Sequence, residues 1–547
     1  MRKTPVAILA ACSLAMGLWA CGPGAPTTGE EGMGVPQEAP RAAAPGAVAA
    51  ANPGQPTPIG AQPVQDTPVA SLPPHAGHEP IAQPSPQPAT AAPAPAPAPP
   101  RFSREWVVSS SGNDAAEGSA AQPFRSIAKA LSVVGPGELI RVQAGTYQER
   151  IVLGGAVKAG TEGAPITLQG EGKPRIVPSS NPGGLIEITL PHWVVDGFEV
   201  DVQGEPRYAV TFKGNVKGSV LANAELHHGA AGAAITTYAH ATGATIENNH
   251  IHDFVKRGGD QDSHGVVVQP TSRDITVRNN DIHDNSGDSV QCLGPEGFSS
   301  LPPADGLLVE NNHFYSNREN AVDIKTCANV VIRNNRMHTF KPSSTAKGDA
   351  VVVHMSARNV TIEDNEVYDA GKGISIGGNH TGPVPTGIVV RRNRVHDITS
   401  ENGGEGTGIR LENSEGTVLV NNTVTNVSGV ALAIGYGTGG PTKDVVVANN
   451  LVAETPVAVS LGGQAPGMKM GNNLFPSGAR FKAGNAVVDL QGFQQATGDA
   501  TSQAADARPA PPTFEPGSPA VDRGADVGLP FCGSAPDIGA VETDCKG

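Results

Sequence analysis

The chain has 547 residues, among them 48 Pro and 68 Gly, while aromatic residues make up 4% and charged residues 16% of it. This composition excludes a helical bundle or coiled coil, and an apolar content of 38% argues against a wholly disordered chain. The net charge is −14 and no Lys/Arg stripe is present, so we expect no nucleic-acid partner.

Residues 1–20 have the pattern of an export signal. A basic pair precedes an apolar stretch over 6–18, which is too short to span a bilayer comfortably. The tetrapeptide Leu-Trp-Ala-Cys that ends at Cys21 resembles the lipobox of bacterial lipoproteins. The resemblance implies cleavage before Cys21, lipidation of its thiol and, because Gly22 follows, a lipid anchor in the outer membrane or at the cell surface of a Gram-negative bacterium. The alternative is an ordinary secretory signal with an incidental cysteine.

Residues 21–100 consist mainly of Pro, Ala, Gly and Gln and contain almost no large apolar side chains. Such a segment cannot bury enough surface to fold. We therefore expect a disordered, semi-extended tether that holds the rest of the chain clear of a membrane.

A pair of polar residues, usually Asn-Asn, recurs after short β-branched runs in the following part of the chain. The spacing of 23 to 32 residues, without helical periodicity and with few Leu residues, predicts a parallel β-helix rather than leucine-rich repeats. Successive coils should lie about 4.8 Å apart, and the second Asn of each pair should point inward into a hydrogen-bonded ladder. Its positions are 249, 280, 312, 335, 365, 393, 422, 450 and 473.

Two further segments resemble those of secreted right-handed β-helix proteins of the pectate-lyase-like class. The motif Pro-Phe-Arg-Ser-Ile-Ala-Lys-Ala-Leu at 123–131 resembles their opening, and Gly-Ser-Pro-Ala-Val-Asp at 517–522 resembles their closing segment. The resemblance implies an all-β fold, with a right-handed parallel β-helix over 101–475 and a closing segment over 476–547. It also implies a short helix near 126–134 that caps the N-terminal end of the solenoid.

The second strand of each repeat alternates between inward apolar and outward residues, and six coils can be aligned in one register. The first outward column is Val267, Gln291, Asp323, Val352, Ser375 and Arg410. The second outward column is Gln269, Leu293, Lys325, His354, Gly377 and Glu412. Ionisable residues are concentrated at 319–354, and we therefore expect a catalytic or binding site there.

Lys325, His354 and Asp323 are suited to β-elimination on a uronic acid, which needs a base, a cation near the developing enolate and an acid for the leaving oxygen. Asp323 would hold Lys325 protonated unless a cation such as Ca²⁺ neutralised it. Segments 319–329 and 352–359 resemble the polysaccharide lyase family of chondroitinase B and alginate lyases, which has Arg where His354 stands.

The resemblance implies that Lys325 is the base and His354 has the acid role. It also implies an acidic polysaccharide as partner and Ca²⁺ as cofactor. The predicted Ca²⁺ ligands are Asp323, Glu319, Asn320 and Asp288. The predicted substrate-binding residues are Gln291, Arg410 and Glu412.

Other interpretations of the same residues stay open. Asp323–Lys325 and Arg410–Glu412 can be plain surface ion pairs on a non-catalytic glycan-binding or structural protein. A glycoside hydrolase would need two carboxylates across a cleft, for which Asp288 and Asp323 are the candidates.

The cysteines and one ring-bearing column complete the predictions. We expect a disulfide between Cys532 and Cys545 in an oxidising compartment, and buried free thiols at Cys292 and Cys327. Aromatic and imidazole rings fall three residues after the Asn corner and predict a stack with a structural role. These residues are His252, His283, Tyr315, His338, Tyr368 and His396, and His227-His228 can belong to the lower end of the stack.

Overall fold

The structure, a computed structural model, is a right-handed parallel β-helix, and this confirms the predicted all-β fold. The structure describes residues 102–256, 262–294, 301–344, 346–378, 382–437, 440–463, 465–510, 513–515, 517–543 and 545. The predicted signal, the lipidation site at Cys21 and the tether lie outside the described residues. No helix in the described ranges combines the length and apolar character needed to cross a membrane.

Each coil contributes one strand to each of three sheets, and each strand pairs in parallel with the strand one coil later. Two long strands, Val210–Ala222 and Ala233–Glu247, run through both sheet 1 and sheet 2. The other strands of sheet 1 are Ile151–Leu153, Ile186–Ile188, His264–Val268, Val290–Cys292, Val322–Ile324, Asp349–Val353, Lys372–Ile376, Thr407–Leu411, Val430–Ile434, Val457–Leu461 and Phe481–Ala483.

Sheets 2 and 3 complete the wall of the solenoid. The other strands of sheet 2 are Glu105–Val108, Leu139–Gln143, Ile166–Glu171, Trp193–Asp196, Thr276–Arg278, Leu308–Glu310, Ala328–Arg333, Arg358–Glu363, Thr386–Arg391, Val418–Val420, Val446–Ala448 and Lys469–Gly471. The strands of sheet 3 are Thr146–Tyr147, Arg175–Ile176, Glu199–Asp201, Glu225–His227, His250–His252, Asp281–His283, His313–Tyr315, Arg336–His338, Glu366–Tyr368, Arg394–Ile398, Thr423–Val427, Leu451–Ala453, Leu474–Phe475 and Gln503–Ala504.

A short helix covers the N-terminal end of the solenoid. It spans Ile127–Leu131 and buries Ile127, Ala130 and Leu131, while the Ser126 side chain caps it by accepting from the Lys129 amide at 3.1 Å. Ser at this position satisfies an amide that the first turn of a helix leaves unpaired. The predicted capping helix is therefore confirmed, and it keeps water from the first apolar coil.

A second helix, Leu490–Thr497, lies at the other end, where Phe493 stacks on Phe481 with ring centroids 4.6 Å apart. Two short antiparallel elements lie in the same region: the strand Ala486–Val488, which pairs with Phe481–Ala483, and the pair Pro509–Ala510 and Thr513–Phe514. A single 3₁₀ turn among the described residues, Glu401–Gly403, lies in the middle of the solenoid between the strands Arg394–Ile398 and Thr407–Leu411. The tail then runs back along the outside of the corner between sheets 2 and 3. Asn421 and Asn449 donate from their side chains to the carbonyls of Asp537 and Ala525 there.

The corner between sheets 2 and 3 contains the predicted Asn ladder. Oδ1 of Asn335 accepts from the backbone amide and the side-chain amide of Asn312, both at 2.9 Å. Nδ2 of Asn335 donates to the Val309 carbonyl and to Oδ1 of Asn365, both at 3.0 Å. The same pattern repeats from Asn249 to Asn473, and these side chains are almost fully buried. The ladder satisfies backbone groups that the turn would otherwise bury unpaired.

We predict that Asn335→Ala lowers the free energy of unfolding by about 3 kcal/mol, because it removes the partners of two buried backbone groups. Urea unfolding followed by circular dichroism measures the loss. The control is Asn334→Gly, since Asn334 is the exposed first residue of the same corner and has a left-handed φ of 54° that Gly adopts readily. Equal losses in both variants would contradict a stabilising role for the ladder.

Candidate functional site

Sheet 1 has the register that the alignment predicted. Gln291 pairs with Asp323, Asp323 with Val352, Val352 with Ser375 and Ser375 with Arg410. The intervening residues are apolar and completely buried, so the alternation of strand side chains sends the polar residues to the outer face. The outer face of sheet 1 is therefore the place where the predicted site residues meet.

Asp323 is the centre of the first cluster, with 8% of its side chain exposed. Its Oδ1 lies 2.9 Å from Nε2 of His354, and its Oδ2 lies 3.8 Å from Nζ of Lys325. Nε2 of Gln291 donates to Oδ2 at 3.5 Å. Burial alone would raise the pKa of Asp323, but the charges of His354 and Lys325 outweigh it and lower the pKa to about 2. The structure thus brings together the predicted residues Asp323, Lys325, His354 and Gln291.

Asp288 lies one coil below and is completely buried. Its Oδ1 accepts from the backbone amide of Asn320 at 3.1 Å and from the Asn320 side chain at 2.8 Å. Its Oδ2 accepts from Gln291 at 3.1 Å and lies 3.2 Å from Nδ1 of His264. Burial would lower the pKa of His264, but its contact with Asp288 raises it. Gln291 therefore links Asp288 to Asp323 in one network.

Three residues of this face were missed in the sequence: His264, Lys372 and Glu405. His264 and Lys372 lie at the position just before the first residue of the aligned segments, which is a small residue such as Gly265 or Gly373. Asp288, Asn320 and Asp349 occupy the same position in the other coils. Strict alternation puts His264 and Lys372 on the same side as the inward Val266 and Ile374, so the pattern gave no reason to expect them on the outer face. Glu405 comes from a connecting segment outside the strands, and no periodic pattern marks it.

Arg410 and Glu412 belong to a second cluster, further along sheet 1. Lys372 lies 3.2 Å from Asp349 and 3.4 Å from Glu405, and Arg410 pairs with both Glu405 and Glu412, the latter at 2.6 Å. Burial would lower the pKa of Lys372, but the two carboxylates raise it. Each charge of this cluster faces an opposite charge, as in the salt-pair interpretation of Arg410 and Glu412.

The four predicted Ca²⁺ ligands do not form an oxygen cage. Donors of the protein occupy both carboxylate oxygens of Asp288, and cationic side chains lie beside those of Asp323. Oδ1 of Asp323 and Oδ1 of Asn320 are buried without a hydrogen-bond partner among the described residues, but two oxygens do not make a calcium cage. Asn320 presents its amide nitrogen to Asp288, and Glu319 accepts from the Ser343 hydroxyl. Ca²⁺ needs six to eight oxygen ligands, so these residues do not fit it in this arrangement.

Cys292 and Cys327 form a disulfide with their Cα atoms 6.3 Å apart, so the prediction of free thiols was wrong. Cys292 points inward from sheet 1, and Cys327 lies in the next coil where the chain turns inward after Lys325, which brings the two within disulfide range. The bond ties the turn behind Lys325 to the coil below. Cys532 and Cys545, which were predicted to pair, form a second disulfide with Cα atoms 5.2 Å apart.

The predicted ring column runs along sheet 3, on another side of the solenoid. Rings one coil apart stack with centroid distances between 4.6 and 5.5 Å, from His227 through His252 to His396. The coil spacing of parallel strands is close to the distance at which flat rings stack. The column is therefore a consequence of the fold's period.

Comparisons with known proteins agree with this architecture. Residues 264–452 match a family described as "Right handed beta helix region", and residues 110–337 match one described as "Protein of unknown function (DUF1565)". A curated relative, the uncharacterized protein YwoF of Bacillus subtilis (strain 168), is 21% identical over 308 residues. That alignment covers 53% of this chain and 61% of YwoF, less than two thirds of its length.

Several solved structures share the fold at low identity. Pectate lyase Pel9A is 16% identical, with 81% of this chain and 97% of that chain covered and a TM-score of 0.39. The PL6 family alginate lyase AlyGC is 17% identical, with 73% and 57% covered and a TM-score of 0.48. PfbA, a surface adhesin of Streptococcus pneumoniae, is 14% identical, with 66% and 88% covered and a TM-score of 0.45.

We predict that Asp323 makes stability depend on pH below about 4. Because its pKa falls from 3.8 to about 2 on folding, its contribution is present above the ordinary pKa and is lost as the pH falls toward 2. The contribution is on the order of 2 kcal/mol. Denaturant unfolding at a series of pH values should show the wild type losing more stability than Asp323→Asn over this range.

The matched control for this titration is Glu415→Gln. Glu415 lies in a surface ion pair, 3.0 Å from Lys443, and 45% of its side chain is exposed. This variant should follow the wild-type pH profile closely, because an exposed pair contributes little. A wild-type profile parallel to that of Asp323→Asn would refute the assignment of the pH dependence to Asp323.

Proposed function

We propose that the protein is carbohydrate-active and cleaves uronate-containing polysaccharides by β-elimination on the outer face of sheet 1. The observation that carries the proposal is the juxtaposition of Lys325 and His354 on either oxygen of the buried Asp323. The side chains of Lys325 and His354 are 11% and 22% exposed, so each is partly accessible from the outer face, although Nε2 of His354 is buried. A base and a cation are thus held side by side on a face that a polymer can approach.

The reaction balances without an external reactant. A base removes the proton on the carbon next to the uronate carboxylate, the electron pair forms a carbon–carbon double bond, and the bond to the glycosidic oxygen breaks. The leaving oxygen takes up a proton, and the new chain end is an unsaturated uronate. Charge that develops on the carboxylate in the transition state needs a cation or hydrogen-bond donors beside it.

The contacts of Asp323 favour His354 as the base. We assign the proton to Nε2, which lies 2.9 Å from a carboxylate oxygen, and the lone pair therefore to Nδ1. Nδ1 takes the substrate proton, and the resulting imidazolium, stabilised by Asp323, returns it to the leaving oxygen. This reverses the roles that the sequence predicted for His354 and Lys325.

Lys325 then supplies the positive charge. Asp323 lies 3.8 Å away and favours the ammonium form, which is wrong for a base and right for binding a carboxylate. Because the predicted Ca²⁺ ligands do not form an oxygen cage, we assign the neutralisation of the uronate carboxylate to Lys325. Gln291 donates to the same oxygen of Asp323 that faces Lys325, and this contact helps to orient the carboxylate.

The second cluster favours a non-catalytic alternative in which the face only binds a glycan. Lys372, Glu405 and Arg410 form a chain of ion pairs, and such a chain is rigid and chemically satisfied. A glycoside hydrolase with Asp288 as one carboxylate is disfavoured, because Asp288 is completely buried and cannot reach a sugar.

We also propose that the protein is exported and lipid-anchored through Cys21, with residues 22–100 as the tether. The lipobox-like tetrapeptide and the Pro/Ala-rich composition support this placement. A tethered lyase could reach polymers some distance from the membrane.

We predict that the purified chain produces ultraviolet-absorbing unsaturated uronate from at least one of alginate, pectate or a glycosaminoglycan. His354→Ala should lower kcat by about 100-fold or more, as expected for the loss of a general base, and Lys325→Ala should raise KM as well as lower kcat. EDTA should leave the rate unchanged.

The matched control is Lys443→Ala, which removes a lysine on another corner and should keep full activity. Full activity in His354→Ala would sink the proposed mechanism. Glycan retention without product on the whole panel, lost in Lys325→Ala, would establish the binding alternative instead.

The anchor is tested in a Gram-negative host that expresses the full chain. Metabolic labelling with a fatty acid should mark the wild type in the membrane fraction, while Cys21→Ser should be unlabelled, because only the Cys21 thiol is expected to carry lipid. Cys12→Ser is the control, since Cys12 lies within the signal and should not matter. Label that persists in Cys21→Ser would contradict the anchor.

A further inference from the structure

Sheet 3 carries a second concentration of ionisable groups that the proposed function does not use. Two outward columns run side by side along it. The first column is Glu199, Glu225, His250, Asp281, His313, Arg336, Glu366 and Arg394. The second column is Asp201, His227, His252, His283, Tyr315, His338, Tyr368 and the ring of His396.

Most histidines of the second column are oriented in the same way. Nδ1 of His252 lies 2.8 Å from Asp253, and Nδ1 of His283 lies 2.9 Å from Asp284. Nδ1 of His396 makes the same contact with Asp397. A carboxylate that accepts from Nδ1 places the lone pair on Nε2. Nε2 then faces the first-column residue one coil below, as in the contacts of His227 with Glu199 and of His252 with Glu225.

The Nε2 atom of His283 faces another imidazole, that of His250, instead of a carboxylate. Nε2 of His283 lies 2.6 Å from Nε2 of His250, and the carboxylate of Asp281 is the third group, with all ligand atoms within 4.8 Å of one another. Two ring nitrogens this close share a proton when no ion is bound, and a tetrahedral zinc ion would separate them to roughly 3.3 Å, since Zn–N bonds are about 2 Å long.

Asp281 differs from Asp201 and Glu225 on this face in the kind of group that lies beside its carboxylate. Asp201 pairs with Arg175, and Glu225 lies 3.0 Å from Lys173. Asp281 has no Lys or Arg partner in the described part of the chain, and its Oδ1 is buried without a hydrogen-bond partner there. Its Oδ2 lies 3.4 Å from Nδ1 of His313, so the carboxylate has an imidazole rather than a Lys or Arg beside it in the described part of the chain.

We propose that His250, His283 and Asp281 form a binding site for a borderline divalent metal ion of the zinc class. Two imidazoles and one carboxylate are ligands that Zn²⁺ accepts in tetrahedral sites, and Asp284 is the outer carboxylate that orients His283. Oxygen-preferring ions such as Ca²⁺ do not suit two nitrogen ligands. His250 is exposed, so the fourth coordination position opens to solvent. This site is independent of the proposed lyase face, which lies on sheet 1.

The experiment titrates the metal-free full-length protein with Zn²⁺ in a calorimeter and with Co²⁺ in a visible spectrometer. We expect saturable Zn²⁺ binding and the intense visible absorption of tetrahedral Co²⁺. His283→Ala should weaken the affinity by about 100-fold or more, and Asp284→Asn should weaken it by about 10-fold to 100-fold through the outer contact. Binding should also weaken as the pH falls, because protons compete with the metal ion for the ring nitrogens.

The control is His396→Ala, which removes a ring from the same stack, 5.2 Å from Tyr368, but outside the metal-binding group. It should leave the affinity unchanged. His250→Gln serves as a second ligand variant should His283→Ala fail to fold. Absence of saturable binding, or equal affinity in the wild type and both ligand variants, would overturn the proposal.

Discussion

Backbone pairing between successive coils is the constraint on which the rest of the structure depends. Each strand pairs in parallel with the strand one coil later, so the neighbours of a side chain are the residues one period away. The Asn ladder maintains that register at one corner. A slip of one residue would turn Asn335 outward and leave the Asn312 amide unpaired in the interior. Side chains on the outer faces are therefore placed with little freedom along the solenoid axis.

The two polar faces use this placement differently. On sheet 1, carboxylates lie beside lysines, Asp323 beside Lys325 of the same strand and Asp349 beside Lys372 of the next coil. On sheet 3, flat rings repeat at the coil spacing and stack, and their orientation is decided by carboxylates at Nδ1. The first arrangement yields a charged surface that can meet an anionic polymer. The second aligns nitrogen lone pairs along one side of the fold.

Much of the sheet 1 face could be predicted, because strand alternation and a regular period are local properties of a sequence. The neighbours Gln291, Asp323 and Val352 were aligned correctly from these alone. Glu405 and the Cys292–Cys327 bond could not be predicted in this way, since Glu405 lies in a connection and Cys327 at a turn. Connections vary in length from coil to coil, so periodicity carries no information about where they fold back.

By itself the sequence determined the β-helix, its inward and outward faces, the Asn ladder and the ring stack, because each depends on a repeated pattern of side-chain polarity. Only the tertiary structure decided which charges meet. It showed that Asp323 is matched by Lys325 and His354 rather than by a cage of oxygen atoms, and that His250 and His283 face each other. Such contacts depend on side-chain approach within about 4 Å between chain segments some thirty residues apart, and electrostatic energies change steeply over that distance.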